Sequence, residues 1–507
     1  MENIKKHFKE YWLFYLITVL AVGLFCFVIY PISSLRPIDY DNSYQAALME
    51  HSFKEIWELI PTDYSPPLYA FYLKIFEMFF GSDQAGLRVS EVVIYLGMLL
   101  VCFFPLRRAF GKKVAAFTSV CFLFTSANHW IFMAFRPHVL GYFLTTIAFV
   151  YAVLVYKTGS QRDYVCLTLF SVMAMYSHTY AMLSALGFYI ALLVAFGIKK
   201  NFKSIKYVFV SGIICSVCYA PWLFVLYSQF RNVQNHYWSN LIDFKSMFNA
   251  LFLFHFDNFS KNSIADIALT VFLVTLLVLV LISLIDAHIK KTDLDLNRTV
   301  LLIFVIPVFV IVLINIFVAE IYLDRYVYNL SGACLVLMCY AVSRIKLPRV
   351  DVKNYVMIVC VLALAVNFAF ASNNYKRELE SYNYATLIER IKEEGCDNIA
   401  FVHANEWDLG IMMYYFPDAH HYVTSDMYTV LTTYDAFPSE VIDIGNADNI
   451  SEYEDTFFIC ATDLSVQNWS PYMHYLSSDG FDVDLYDEIY TGVYSGFDIR
   501  YARVTVK

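Results

Sequence analysis

Predominantly apolar stretches of eighteen or more residues recur along this chain of 507 residues, and no other feature constrains its fold as tightly. Tyr11 to Tyr30, Ala268 to Ile285 and Thr299 to Val318 are each long enough, as helices, to cross the ~30 Å hydrocarbon core of a bilayer. In lipid only helices and closed barrels satisfy their own backbone hydrogen bonds. The sequence therefore predicts a polytopic α-helical membrane protein. Eleven spans are expected, near residues 11–30, 89–106, 113–131, 139–157, 164–177, 180–198, 207–227, 264–285, 299–319, 326–343 and 354–371. Leu68 to Phe80 is also apolar, but it follows Pro66-Pro67, and counting it as a span would invert every later loop. It is expected as an interfacial or re-entrant helix.

Loop charge sets the orientation. With Lys5, Lys6 and Lys9 on the inside, alternate loops receive Arg107, Arg108, Lys112 and Lys113, then Lys157 and Arg162, then Lys199, Lys200, Lys203 and Lys206. Lys290, Lys291 and Arg298 follow, and Arg344, Lys346, Arg349 and Lys353 complete the series, as the positive-inside rule requires. An odd number of spans leaves the carboxyl-terminal segment outside. The first span begins like a signal peptide but lacks a small-residue cleavage site after Tyr30, so it is expected to stay as an anchor.

From Asn373 onward the composition changes. This segment holds 24 of the 45 acidic residues and 7 of the 36 basic ones, a net charge of −17 against +8 for the rest. That balance gives no support for nucleic-acid binding. A membrane domain, 1–372, and an extracytoplasmic acidic α/β domain, 373–507, are expected. Helical periodicity at 377–394 and around 409–415 alternates with strand-like runs at 398–403, 420–424 and 457–461. The segment shows no catalytic constellation, and a role in acceptor binding or assembly is expected. Nine of the 11 cysteines lie in the spans as small apolar residues, the Cys215/Cys218 pair included. Cys396 and Cys460 share the external domain, where they either pair or remain free thiols.

The polar loops that carry unusual acidic, histidine and arginine residues all fall on the non-cytoplasmic side. After the first span comes Arg36-Pro37-Ile38-Asp39-Tyr40-Asp41-Asn42-Ser43-Tyr44, then an amphipathic stretch from Ser52 to Ile60, then Asp63-Tyr64-Ser65-Pro66-Pro67-Leu68-Tyr69. Phe135-Arg136-Pro137-His138 precedes the fourth span, Tyr176-Ser177-His178-Thr179-Tyr180 forms the next outer turn, and Asp324-Arg325-Tyr326 opens the tenth span. In this order the segments resemble those of the GT-C membrane glycosyltransferases, in particular the family 39 type related to protein O-mannosyltransferases and aminoarabinose transferases. The resemblance covers most of residues 1–345. This chain has Asp41-Asn42 where that family usually has Asp-Glu, and Tyr64-Ser65 where a His often precedes the prolines.

The resemblance implies a GT-C fold of about eleven spans and transfer of a sugar from a polyprenyl-phosphate donor. The acceptor would be a cell-surface glycan, lipid or protein outside the cytoplasm, and the protein would sit in the cell membrane among lipids. Such a transfer needs a carboxylate that takes the acceptor proton, typically contributing ~10²–10⁴-fold, and cations that stabilise the departing phosphate. A single displacement inverts the anomeric carbon and needs one base. Asp41 is the first candidate and Asp39 the second, against the plain alternative of solvated loop acids.

Arg325 and Arg136 are the candidates for the donor phosphate, joined by His178 and Tyr326, and His178 either hydrogen-bonds that phosphate or is a structural interfacial histidine. Alternatively Arg325 pairs with Asp324 or Glu320, and Arg136 snorkels to the headgroups. Asp63 either positions the acceptor or caps the helix at Pro66, and His138 positions substrate or is structural. No close-spaced His/Asp cluster demands a metal, although His138 or His178 with Asp63 leaves room for a divalent ion. The segment from Gln229 to Asn262, with Arg231, His236, Tyr237 and Trp238, is either a lid over the site or an interfacial aromatic anchor. A transporter or flippase of lipid-linked sugars is the rival class. It predicts ionisable residues at mid-membrane depth, whereas charge here gathers at the span ends. A membrane anchor presenting the acidic domain is a third reading.

Overall fold

The computed structural model describes residues 2–38, 40–62, 65–125, 136–236, 244–251, 294–318, 322–344, 352–394, 399–403, 406–425, 434–437, 440–462, 470–486 and 499–507, with isolated positions in 271–285 and at 490. Among these residues eight helices are long and apolar enough to cross a membrane: Tyr11–Ser34, Gln84–Phe110, Pro137–Thr158, Thr179–Ile198, Phe202–Gln229, Asp295–Phe317, Arg325–Ser343 and Asn354–Glu394. Two further expected spans coincide with shorter described helices, Lys112–Phe124 and Gln161–Ser177. The one expected at 264–285 lies outside the described residues apart from isolated positions.

Three short helices follow the first span: α1 (Tyr40–Ala47), α2 (Phe53–Leu59) and α3 (Leu68–Phe80). At 1.5 Å per residue α3 is about 20 Å long, too short to cross a bilayer. The helices that matter later are α4 (Pro137–Thr158), α5 (Gln161–Ser177), α6 (Thr179–Ile198), α7 (Leu294–Phe317), α8 (Asp324–Ser343), α9 (Tyr384–Glu394), α10 (Glu406–Tyr415) and α11 (Ser470–Ser477). The chain forms two compact units. One comprises Met1–Pro31, Tyr64–Tyr69 and Arg88–Tyr375; the other comprises Ile32–Asp63, Ala70–Leu87 and Lys376–Lys507.

In the first unit α4 and α8 are the buried centre, with 89% of each apolar window inside the protein, against 28% for Phe202–Gln229. The exposed apolar side chains of that outer helix, such as Phe209, Ile214 and Phe224, suit a lipid-facing wall. Close approach of α4 and α8 depends on two glycines: a Cβ at Gly332 would collide with Thr146, and one at Gly141 with the Asn329 side chain. At the C-terminal end of α4, Arg108 Nη2 donates to both oxygens of the fully buried Asp163, at 3.0 and 3.1 Å, and Thr158 Oγ1 donates to Oδ2 at 2.6 Å. Burying a carboxylate requires such pairing. The helix Gln84–Val101 continues into a wide turn, Cys102–Leu106, that contains Pro105; proline has no N–H for the i−4 bond and widens the coil locally.

The second unit is built on a six-stranded sheet: β1 (Ala400–His403), β2 (His420–Val423), β3 (Val441–Asp443), β4 (Thr456–Thr462), β5 (Phe481–Leu485) and β6 (Ile499–Val506). The strand order is β3-β2-β1-β4-β6-β5, parallel through β4 and antiparallel beyond it. Alternation along the strands produces two cores. Phe401, Phe458 and Cys460 pack with Leu387 and Ile391 of α9 and with Ile411 and Met412 of α10. Val402, Phe457 and Ile459 pack on the other face with Ile450 and with Tyr475 of α11. The sheet is thus covered by helices on both sides, as a mostly parallel sheet requires.

The loop after the first span belongs to this same unit. The Ile38 N–H donates to Tyr415 Oη on α10 at 3.0 Å, and the His51 ring bonds the Ala436 carbonyl at 2.8 Å. Lys74 on α3 pairs with Glu77 at 2.8 Å and donates to the Met49 carbonyl, and the Gln84 side chain donates to the Arg36 carbonyl. Ser52 and Glu55 cap α2 reciprocally, Ser52 N–H donating to Glu55 Oε2 at 2.8 Å and Glu55 N–H to Ser52 Oγ at 3.4 Å. Among the cysteines, Cys396 lies outside the described residues, and Cys460 is a buried free thiol.

Candidate anion site at three helix N-termini

Helices α4, α6 and α8 begin at residues 137, 179 and 324, and the residues that open them carry the chemistry. Arg136 is the N-cap of α4, extended at φ −138° because Pro137 follows at the first helical position. His178 is at once the residue that ends α5 and the N-cap of α6, so a single residue joins the two helices. Its N–H donates to the Ala174 carbonyl, and its own carbonyl accepts from Met182 N–H. Arg325 and Tyr326 stand in the first turn of α8. The first N–H groups of a helix have no partner within it, and the aligned peptide dipoles put partial positive charge there.

His178 is the hub. It is buried, and Tyr326 meets its ring edge-on with 4.9 Å between centroids, while Tyr180 lies 5.4 Å from Tyr326. Tyr180 Oη donates to Asn315 Oδ1 of α7 at 3.2 Å, which ties the aromatic group to a fourth helix. His178 Nδ1 faces two donors, the Tyr180 backbone N–H at 3.1 Å and Asn329 Nδ2 at 3.2 Å. A nitrogen that accepts two hydrogen bonds carries no proton, so the imidazole proton sits on Nε2. Burial first, and then the positive charges of Arg136 and Arg325, hold this imidazole at about 3, far below its ordinary 6.5.

Two guanidinium groups therefore act on one neutral histidine at the positive ends of three helices. Such a field favours an anion over a cation: Arg offers paired N–H donors to phosphate oxygens, and helix N-termini add theirs. The same field repels a cation. Among the described residues no cluster of three His, Cys, Asp or Glu side chains could hold a metal ion.

The fold built around this site has known counterparts. Across 96% of this chain and 97% of the other, the structure superposes on ArnT from Cupriavidus metallidurans in the apo state, with a TM-score of 0.62 and 11% identity. It superposes equally on the same protein bound to undecaprenyl phosphate, with a TM-score of 0.61, 11% identity and the same coverage. The chain has the GT-C glycosyltransferase fold. Within it, residues 64–225 match the family model described as dolichyl-phosphate-mannose-protein mannosyltransferase. No curated protein matches the chain by sequence.

On this GT-C frame the sequence-derived candidates divide by unit. Arg136, His178, Arg325 and Tyr326 come together in the first unit as described above. His138, second residue of α4, is buried beside them in sequence. Asp41 lies in the first turn of α1 in the second unit and is half-buried, and Asn42, Ser43, Tyr44 and Gln45 after it are all buried. Asp39 and Asp63 lie outside the described residues, as do Tyr237 and Trp238. The side chains of Arg231 and His236 are likewise not described.

Sequence reasoning missed Asn329 and Gly141. Asn329 sits four residues beyond Arg325, where an amide in an otherwise apolar span is costly unless it has partners, and that cost was the available signal. It also missed the burial of Arg36 at 1% exposure, for which a loop arginine beside a proline gives no sign.

Proposed function

We propose that this chain is a membrane glycosyltransferase that moves a sugar from a polyprenyl-phosphate donor to a hydroxyl of an extracytoplasmic acceptor, a cell-surface glycan, lipid or protein, with inversion at the anomeric carbon. The observation that carries this reading is the convergence of Arg136, Arg325 and a neutral His178 at three helix N-termini within the GT-C fold. A polyprenyl phosphate keeps its chain in the bilayer and its phosphate at the interface, where residues at the ends of spans reach it. The Lys/Arg distribution of the loops supports placing this end of the bundle and the acidic tail outside the cytoplasm.

In the proposed reaction the acceptor oxygen attacks the anomeric carbon while the bond from that carbon to the phosphate oxygen breaks. The electron pair leaves with polyprenyl phosphate. Arg136 and Arg325 take up the charge that develops on the leaving oxygen, in a region with little water to screen it. The acceptor proton passes to a carboxylate, for which Asp41 is the proposed base on the strength of its place after the first span. Asp39 is second choice, and Asp63 is assigned to acceptor positioning.

The test is release of free polyprenyl phosphate from a panel of polyprenyl-phosphate sugars by the protein in nanodiscs, wild type against Asp41→Asn. Release that falls ~10²–10⁴-fold in the variant, with donor binding retained, supports both the transferase and its base. Release unaffected by the change moves the base to Asp39 or Asp63. No release from any donor, with lipid-linked sugar moved between leaflets instead, would replace the transferase by a flippase.

A further inference from the structure

Asn329 has no charge and stands inside α8, one turn beyond Arg325, yet its placement is over-determined. Nδ2 donates one hydrogen to the Tyr326 carbonyl at 2.7 Å and the other to His178 Nδ1 at 3.2 Å. Oδ1 is buried and has no hydrogen-bond partner among the described residues; it lies where a Cβ at position 141 would be, and Gly141 leaves that space open. The His178 Cβ lies 3.2 Å from the same point, so one glycine on α4 makes room for both side chains. Turning the amide over would place an oxygen against the Tyr326 carbonyl and against Nδ1, two acceptors facing a third, which excludes the flip.

The consequence is chemical. The backbone N–H of Tyr180 and the amide of Asn329 both donate to Nδ1, so the proton of neutral His178 is held on Nε2. His178 makes no hydrogen bond through Nε2 to any described residue. We propose that Asn329 is a positioning residue for the donor phosphate: it fixes the tautomer and tilt of His178 so that the Nε2–H is presented to a phosphate oxygen between Arg136 and Arg325, and Gly141 provides the space for it. The inference rests on the reading of this cluster as the donor-phosphate site. A neutral donor beside two fixed cations adds a directed hydrogen bond without adding a third charge that the arginines would oppose.

Two measurements test it, with undecaprenyl phosphate as the probe and the full-length protein in nanodiscs. The first is the affinity of wild type and Asn329→Asp from pH 5 to 9, taken as a ratio so that titration of the phosphate itself cancels. The substitution keeps the shape but replaces a donor to Nδ1 by an acceptor, which draws the proton to Nδ1 and leaves Nε2 bare when the ring is neutral. The variant is expected to bind roughly tenfold or more weakly at pH 8 to 9, as the loss of a hydrogen bond to a charged group implies, and to recover towards wild type at the acid end, because the introduced carboxylate favours a ring protonated on both nitrogens and so restores a proton to Nε2. A uniform loss at every pH, or none, overturns the proposal, since a merely structural role has no reason to follow the ring's protonation.

The second measurement needs no variant to fold well. Nitrogen-15 spectra of histidine-labelled wild type, with the His178 signals assigned by a His178→Gln difference, should show Nδ1 unprotonated and Nε2 protonated throughout this pH range. A proton on Nδ1 overturns the inference while leaving the donor site standing. Absence of any undecaprenyl phosphate binding by wild type removes the donor site and the inference together.

Discussion

Buried neutral histidines occur in both units, and their hydrogen bonds run in opposite directions. In the acidic unit His403 Nε2 and His421 Nδ1 are 2.9 Å apart, and His421 Nε2 lies 3.1 Å from the Phe416 carbonyl. His421 must donate to that carbonyl, so its Nδ1 accepts and His403 donates. The chain of donors ends on the protein's own backbone, within the interior of the sheet. At His178 the two bonds run inward to Nδ1 and the remaining N–H goes to no described residue. On the proposed reading, the same side chain is a structural filler where its donor is consumed and a binding group where its donor is left over. Burial alone therefore does not separate the two roles; the direction of the hydrogen bonds does.

The largest effect expected from breaking this contrast comes from the arginines. Arg136→Ala with Arg325→Ala should weaken undecaprenyl phosphate binding by at least ~10²-fold, since two hydrogen bonds to a charged group are lost, and should move the His178 titration upward towards its ordinary value because two repelling charges are gone. Binding by calorimetry and the histidine spectra check the two halves separately. The closed pair, whose hydrogen bonds involve neither arginine, should not respond.

Acid sharpens the contrast next. Burial holds His403 well below 6.5 and His421 at about 4 in the folded protein. A depressed histidine pKa means the unfolded chain binds more protons, so stability is complete above about 6.5 and declines as pH falls towards about 4. For His421 the loss is on the order of 3 kcal/mol when complete. Protection factors of the β1 and β2 amides, corrected for the intrinsic exchange rate at each pH, should therefore fall between pH 6.5 and 4. Unchanged protection across that interval would remove the closed pair as an acid-sensitive element.

Smaller effects come from geometry. Gly141→Ala drives a methyl into the space of Asn329 Oδ1, and overpacking of this kind costs about 1–3 kcal/mol; a thermal shift together with weaker undecaprenyl phosphate binding is the expected outcome. Ser52→Ala, which removes one half of the α2 cap, should cost about 1 kcal/mol locally and leave both histidine systems unchanged. A change in donor binding with that variant would mean that the two units are energetically coupled.

The span pattern, the short α3 and the helix-and-strand alternation of the tail were legible because each rests on local periodicity. Arg136, His178 and Arg325 were legible because polar residues at the ends of apolar runs are conspicuous. β3, β5 and β6 were not read. β5 does alternate, Phe481 and Val483 against Asp482 and Asp484, but a five-residue edge strand among acidic turns carries little weight until its partner is known. The segment after the first span is the sharper case. Asn42 to Gln45 are polar in sequence yet buried in the structure, and the reason is a helix, α10, nearly four hundred residues further on. Asn329 escaped for the same cause: His178, which accepts from it, caps α6, and Gly141, which makes room for it, lies on α4, while the sequence shows only a break in an apolar run.

The sharing of one compact unit by residues 32–63, 70–87 and the acidic tail changes what a deletion means. Cutting the chain after the last span would strip α1 of the surface that α10 provides, so silence of the shortened protein would be uninformative about what the tail itself contributes. A chimera has the same constraint in reverse. Whoever transplants this tail onto another membrane bundle must carry the two upstream pieces with it, because they are three stretches of covalent chain but a single inherited part.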